Sequence, residues 1–301
     1  MTTTIDQIPP SLRSSMSTRR KLKNGAATLW LYLSLVLAVV PLGLVLFYVV
    51  QKGSALFGID FFTSDIPVSR RELGGGMAPA IVGTIVITGT AALMAIPLGV
   101  LGAVYLNEYG GKGRFASLLR FMSQVMTGVP SIVMGLFIYT VWVLTFADYP
   151  WGQSGFAGAL ALACLMLPIV IRSTEEMLKL VPDDLRQASY ALGNRKWRTI
   201  VQIVLPAALG GITSGCMLAV ARAAGETAPL LFTIGVVNKV NWNVFEGSNT
   251  ALSAQIFKNA QIPFAGPQDR AWAAALTLIL IVLVLTATAR LVATRFAMNH
   301  S

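Results

Sequence analysis

Arg222 and Glu226 stand four residues apart in VARAAGETAPLL, Val220 to Leu231, inside sequence that is otherwise apolar. A charged side chain at the middle of a bilayer costs about 2.5–3.5 kcal/mol or more, so this pair implies the interior of a bundle or a wet cavity. At this spacing the two can bind each other and pin a helix, which is the plain structural role. The chemical role is the handling of an oxyanion. Arginine offers a planar fork of donors, stays charged at any working pH, and matches the oxygens of phosphate or its analogues. A carboxylate beside it narrows the choice, because it accepts a hydrogen bond from an oxyanion that still carries a proton and repels one, such as sulfate, that carries none. Thr227 adds a hydroxyl next door, although threonine in a membrane helix commonly bonds its own backbone.

Few other residues in the chain offer chemistry. His300 stands alone in the tail, so a histidine-based metal or acid–base site has no material. Cys164 and Cys216 fall inside apolar runs without metal-ligand spacing and read as small packing residues. No catalytic constellation of nucleophile and base or of paired carboxylates is visible. Glycines at 110, 111 and 113 do not form a phosphate loop, so any nucleotide in use is bound by another chain.

The elements that must position Arg222 are membrane spans. The chain is 55% hydrophobic and 12% charged, with mean hydropathy +0.68, and six uncharged stretches are long enough to cross a bilayer. They are residues 26–50, 77–107, 121–147, 149–171, 199–221 and 271–289. Thr227 to Asn238 is too short to span and is expected as a loop or re-entrant segment. Sixteen Lys and Arg fall in one set of alternate loops and six in the other, which places both termini in the cytoplasm. The net charge of +10 then belongs to loops facing an anionic leaflet and needs no nucleic acid partner. Residues 1–24 lack a hydrophobic pattern and are expected to be a disordered basic lead, with the membrane domain at 25–298. Two polar, aromatic-rich segments, Gly53–Gly76 and Thr227–Arg270, suit folded extracytoplasmic loops able to meet a partner. Pro97 and Gly99, and Gly128, Pro130 and Gly135, suggest kinked or closely packed helices.

Between the fourth and fifth spans, VPDDLRQASYALGNRKWRTIVQIVLP reads as a surface helix joined to a span at a glycine. Pro182 suits the first helical position, and Asp183 and Asp184 complement the helix dipole. Leu185, Ala188 and Leu192 recur at helical spacing, while Gly193 and Asn194 end the helix in left-handed geometry. Arg195, Lys196, Trp197 and Arg198 anchor the next helix at the inner headgroups. By periodicity alone this is an amphipathic juxtamembrane helix.

The spacing from Gly193 to Ile203, Leu205 and Pro206 is similar to the EAA-x3-G-x9-I-x-LP loop of ATP-binding cassette importer permeases, with Gln187, Ala188 and Ser189 where the pattern has EAA. RAAGETAP, Arg222 to Pro229, and VPSIVMGL, Val129 to Leu136, resemble the phosphate-specific permeases of the PstA type. The resemblance covers roughly residues 75–295 and implies an all-α integral membrane protein with six transmembrane helices, a type I importer permease fold and a cytoplasmic coupling helix. It implies a sister permease of the PstC type, a dimer of ATPase subunits holding ATP and Mg, an extracytoplasmic phosphate-binding protein, and a prokaryotic inner membrane. No cofactor is then bound by this chain. The substrate pathway would use Arg222, Glu226 and Thr227, and ATPase coupling would use Asp184, Gln187, Ala188, Ser189, Leu192, Gly193, Ile203, Leu205 and Pro206 in the loop 172–206. The glutamine at 187 keeps the length of the usual glutamate and loses its charge, so a salt bridge from that position is absent. Alternatives are another oxyanion as cargo (sulfate, molybdate or phosphonate) or an ATP-independent channel or carrier.

Overall fold

The computed structural model describes residues 18–111 and 113–298. Within it Thr18–Gln51 forms one compact unit and residues 52–298 a second. The first unit is almost entirely α1 (Thr18–Gly53), which carries apolar residues nearly all round, as a membrane-crossing helix does. The disordered lead expected for residues 1–24 is therefore corrected at its end: Thr18–Asn24 are helical, while residues 1–17 lie outside the described part. Lys and Arg are good helix formers, and extending a helix already nucleated in the apolar run costs little.

The second unit opens with α2 (Ile59–Thr63) and α3 (Ala78–Val104), the latter prolonged by a π-helical turn to Tyr109. Next come α4 (Arg114–Gly128) and α5 (Ser131–Ile138), and then α6 (Gly155–Lys179). After α7 (Asp183–Ala191) the chain runs through α8 (Lys196–Thr199), a π-helical turn and α9 (Leu205–Ala224) as one stretch. Two short helices, α10 (Leu230–Thr233) and α11 (Leu252–Ala260), precede α12 (Ala265–Met298).

Five of these stretches are long and apolar enough to cross a membrane, among the described residues. The expected span 121–147 is not one rod: α4 and α5 meet at an angle of 107° and qualify only as a broken pair. Pro130 is the cause, since the residue before a proline is driven out of helical geometry and Val129 is extended, with φ −71° and ψ 127°. The fourth span also moves. It begins at Gly155 rather than 149 and continues to Lys179, through residues assigned to the cytoplasmic loop. Ion pairs at i, i+4, Arg172 with Glu176 (3.1 Å) and Glu175 with Lys179 (2.9 Å), carry the helix past the apolar run.

The core is made by small residues in helical register. Ala91, Ala95 and Ala103 on α3, Ala159 and Leu162 on α6, and Ala208, Ile212, Cys216, Ala219 and Ala223 on α9 are all buried in one cluster. Small side chains let helix backbones approach where lipid supplies no hydrophobic drive for association. Gly83 shows how close this becomes, since a Cβ there would lie 1.8 Å from the Thr250 carbonyl oxygen. Beside it the Thr84 hydroxyl donates to the Ala80 carbonyl and accepts from the Leu252 amide, both at 2.8 Å, so a side-chain hydroxyl of α3 holds the start of α11. Gly83→Ala is expected to lower the thermal stability of the detergent-solubilised chain by about 1–3 kcal/mol. Gly89→Ala, which meets nothing within 4 Å, should be neutral or slightly stabilising in the same melting assay.

Candidate functional site

Arg222 sits in the last turn of α9, and the helix stops two residues later at Ala224. Glu226 is therefore not one turn further up the same helix. The Gly225 amide bonds the Arg222 carbonyl and the Glu226 amide bonds the Ala223 carbonyl, so the chain turns over the helix end. The turn is fixed from two sides. Ser253 of α11 donates to the Glu226 carbonyl at 2.9 Å, and Gly135 of α5 packs so tightly on Pro229 that a Cβ would come within 2.5 Å of its Cα.

Together these elements enclose a cleft of about 310 Å³. Its walls are the α4–α5 bend (Met126, Thr127, Pro130), the middle of α6 (Leu165, Met166, Pro168, Ile169) and the end of α9 with Arg222 and Glu226. Counting helical rise from Leu205 predicts Arg222 in the outer part of the membrane. Within the bundle it lies opposite residues 165–169, the middle of the 25-residue α6. The continuous helix that carries it begins at Lys196, so Arg222 stands at the far end of a 29-residue stretch.

The Arg222 Nε to Glu226 Oε1 distance is 3.8 Å, too long for a hydrogen bond. The Arg222 side chain is 70% exposed and that of Glu226 22%. The pair therefore does not pin the helix; it leaves a guanidinium fork open to the cleft with a carboxylate beside it. Thr227 does not line this cleft. Its carbonyl instead accepts the amides of Leu230 and Leu231, starting α10.

At the opposite end, α7 ends in a Schellman arrangement: the Gly193 amide bonds the Tyr190 carbonyl, the Asn194 amide bonds the Ser189 carbonyl, and Gly193 has φ +80°. Pro182 is the residue before the helix rather than its first member, and Asp183 and Asp184 fill the first turn. Asp184, Leu185, Gln187, Ala188 and Leu192 are exposed and form an open, mixed apolar and polar face. Ser189 faces the other way. It is buried, and its hydroxyl lies 2.8 Å from that of Thr199 at the start of the next helix. Ile203 and Leu205 are half-buried in that helix and Pro206 is exposed on it, so these three sit behind the open face rather than on it.

Sequence reasoning missed the groups that hold α7 in place. Arg186, on α7, donates to Glu108 Oε1 (3.0 Å), to Asp183 Oδ1 (3.0 Å) and to the carbonyls of Val181 (2.7 Å) and Leu178 (3.0 Å). Lys196 donates to the Glu108 carbonyl and lies over the Tyr109 ring. Arg120 bridges Glu175 (3.0 Å) to the carbonyls of Leu106 (2.7 Å) and Gly111 (3.1 Å). Three cations thus converge on the carboxyl end of the α3 stretch, where unpaired carbonyls favour positive charge. The available signal was Glu108, a carboxylate closing an uncharged run next to a basic loop.

The family described as binding-protein-dependent transport system inner membrane component matches residues 95–298. The phosphate transport system permease protein PstA 1 of Mycobacterium tuberculosis (strain ATCC 25618 / H37Rv) is 43% identical over 297 residues, covering 97% of this chain and 95% of that one. PstA of Mycobacterium leprae (strain TN) is 46% identical over 268 residues, 88% of this chain and 87% of that protein. PstA of Haemophilus influenzae (strain ATCC 51907 / DSM 11121 / KW20 / Rd) is 40% identical over 260 residues, with 86% and 90% covered. In fold the chain resembles a bacterial ABC transporter involved in the import of the acidic polysaccharide alginate, with TM-score 0.61, 16% identity, and 91% of this chain and 99% of that one covered. It also resembles the inward-facing MetNI methionine ABC transporter, with TM-score 0.55, 14% identity, and 72% and 93% covered. All-helical among its described residues and built on the type I importer permease fold, this multi-pass membrane chain belongs to the binding-protein-dependent transport permeases, as a member of the PstA type.

Proposed function

We propose that this chain is a transmembrane permease subunit of an ATP-driven inorganic phosphate importer and forms half of its translocation pathway. The observation that carries the reading is the open Arg222 fork, held 3.8 Å from Glu226 in a cleft of about 310 Å³. The relatives are phosphate transport permeases, which points the same way. Arg222 attracts the anion and presents paired donors to its oxygens. Glu226 accepts a hydrogen bond from a phosphate that still carries a proton, repels sulfate, and keeps the affinity low enough for release. The relatives do not favour another oxyanion or a channel working without ATP.

The pathway is completed by a sister permease of the PstC type, and an extracytoplasmic phosphate-binding protein delivers the cargo. An ATPase dimer holds ATP and Mg, and hydrolysis takes place there. The exposed face of α7, with Asp184, Gln187, Ala188 and Leu192, is the surface on which the ATPase rests, and Gly193 ends it. Ser189, Ile203, Leu205 and Pro206 connect that surface to the following helix. Closure of the ATPases moves α7, and with it the spans, between outward-open and inward-open arrangements. The 16-to-6 division of basic residues supports cytoplasmic termini in a prokaryotic inner membrane.

Labelled phosphate uptake, with sulfate as control, tests the assignment in cells lacking their own phosphate importer and expressing this chain with its partners. Phosphate should enter only when the ATPase subunit is competent. Uptake that persists with an inactive ATPase, or sulfate uptake in place of phosphate, would sink the proposal.

A further inference from the structure

The cleft at Arg222 does not end at the α4–α5 bend. A second cleft of about 260 Å³ lies between α4 and α6, toward the Lys179 end of α6, and Thr127 lines both. The two share one face of α6. Leu165 and Ile169 line the upper cleft, and Arg172, Glu176 and Lys179 line the lower. These positions recur every three or four residues, so they form a single stripe. At helical rise the stripe is about 20 Å long, on the scale of an inner half-membrane.

The lower cleft repeats the arrangement of the upper one. Arg172 and Glu176 are again an arginine and a glutamate at i, i+4, paired through Nε to Oε1, here at 3.1 Å. Both side chains are more than half exposed. The neighbouring cations are committed elsewhere, because Arg120 and Lys179 both bind Glu175, at 3.0 and 2.9 Å. Among the described residues the two terminal nitrogens of Arg172 have no protein partner, so its fork remains available.

We infer that Arg172 and Glu176 form a second anion station, at the cytoplasmic mouth of the same groove, which takes phosphate from Arg222 and releases it to the cytoplasm. This inference rests on the reading of the chain as a phosphate permease. The chemistry is that of the upper station: a guanidinium fork binds the oxygens, and a carboxylate favours an oxyanion that carries a proton. The two arginines are about equally open, but the carboxylate is more exposed at the lower station, 56% against 22%, so solvent screening weakens its contact, which suits release.

The test uses inverted membrane vesicles holding the assembled transporter, with Cys164 and Cys216 changed to Ala and Gln124→Cys introduced on the groove wall. Labelling by a membrane-impermeant maleimide is followed with inorganic phosphate or sulfate present, and phosphate uptake is measured in cells. Phosphate should slow the labelling and sulfate should not. Adding Arg172→Gln should remove the protection and lower uptake by about tenfold at unchanged membrane levels, whereas Arg172→Lys should keep part of both. Equal protection with and without Arg172→Gln, protection by neither anion or by both alike, or normal uptake by Arg172→Gln would overturn the second station. If the unaltered chain with competent partners imports no phosphate, the permease assignment itself fails and this inference falls with it.

Discussion

Arg222→Ala is expected to reduce phosphate uptake about a hundredfold while the chain still reaches the membrane at normal levels. Two charge-assisted hydrogen bonds from one guanidinium, at about 1.5–3 kcal/mol each, set that scale. Normal assembly follows from the geometry. The side chain is 70% exposed in the cleft and its carboxylate partner is 3.8 Å away, so removing it breaks no close contact. An exposed ion pair of this length contributes at most about 1 kcal/mol to folding. Arg222→Lys keeps the charge and loses the fork, and should retain roughly a tenth of the uptake. Glu226→Gln keeps size and one acceptor and loses the repulsion, so its clearest effect is on selectivity: sulfate should begin to compete with phosphate. Uptake in whole cells, normalised to immunoblotted membrane protein, measures all three. Wild-type uptake by Arg222→Ala would remove the anion from this cleft.

The second large effect concerns the hold on α7. Arg186→Ala leaves Glu108, whose side chain is only 5% exposed, without its cation. Breaking a buried pair from one side costs about 3–5 kcal/mol, because the remaining charge stays desolvated. The carbonyls of Leu178 and Val181 lose their donor at the same time. The expected result is a fall in the melting temperature of the solubilised chain and a low membrane level. A double variant, Arg186→Met with Glu108→Gln, should recover part of the loss, since no buried charge is left. Its remaining defect is then informative. If α7 transmits motion through this clamp, a transporter assembled with the recovered chain should hydrolyse ATP on its ATPase subunits with little phosphate import. An unchanged melting curve for Arg186→Ala would show that Glu108 and Arg186 do not support one another.

How far each feature could be read in advance depended on its range along the chain. The spans were legible because an uncharged run must be helical in lipid, where each backbone group has to be satisfied within its own segment. α7 was legible from local chemistry, since acidic residues in the first turn and a glycine with left-handed backbone act over a few residues. Thr227 was grouped with Arg222 by adjacency alone, and the turn that ends α9 carries it away from the cleft.

The amino-acid sequence by itself determined that this protein lies in a membrane, that Arg222 and Glu226 are exceptional there, and that a surface helix ends at Gly193. Pro130 marked a kink in the third span, and the structure gave its angle of 107°; tertiary structure alone decided that Ser189 turns inward to Thr199 and that Glu108 and Arg186, 78 residues apart, close a clamp. It also decided that the clefts at Arg222 and Arg172 meet at Thr127. The physical reason is that charge pairing and close packing act through space at a few ångströms, and periodicity along the chain carries no record of which distant carboxylate or carbonyl will be the neighbour.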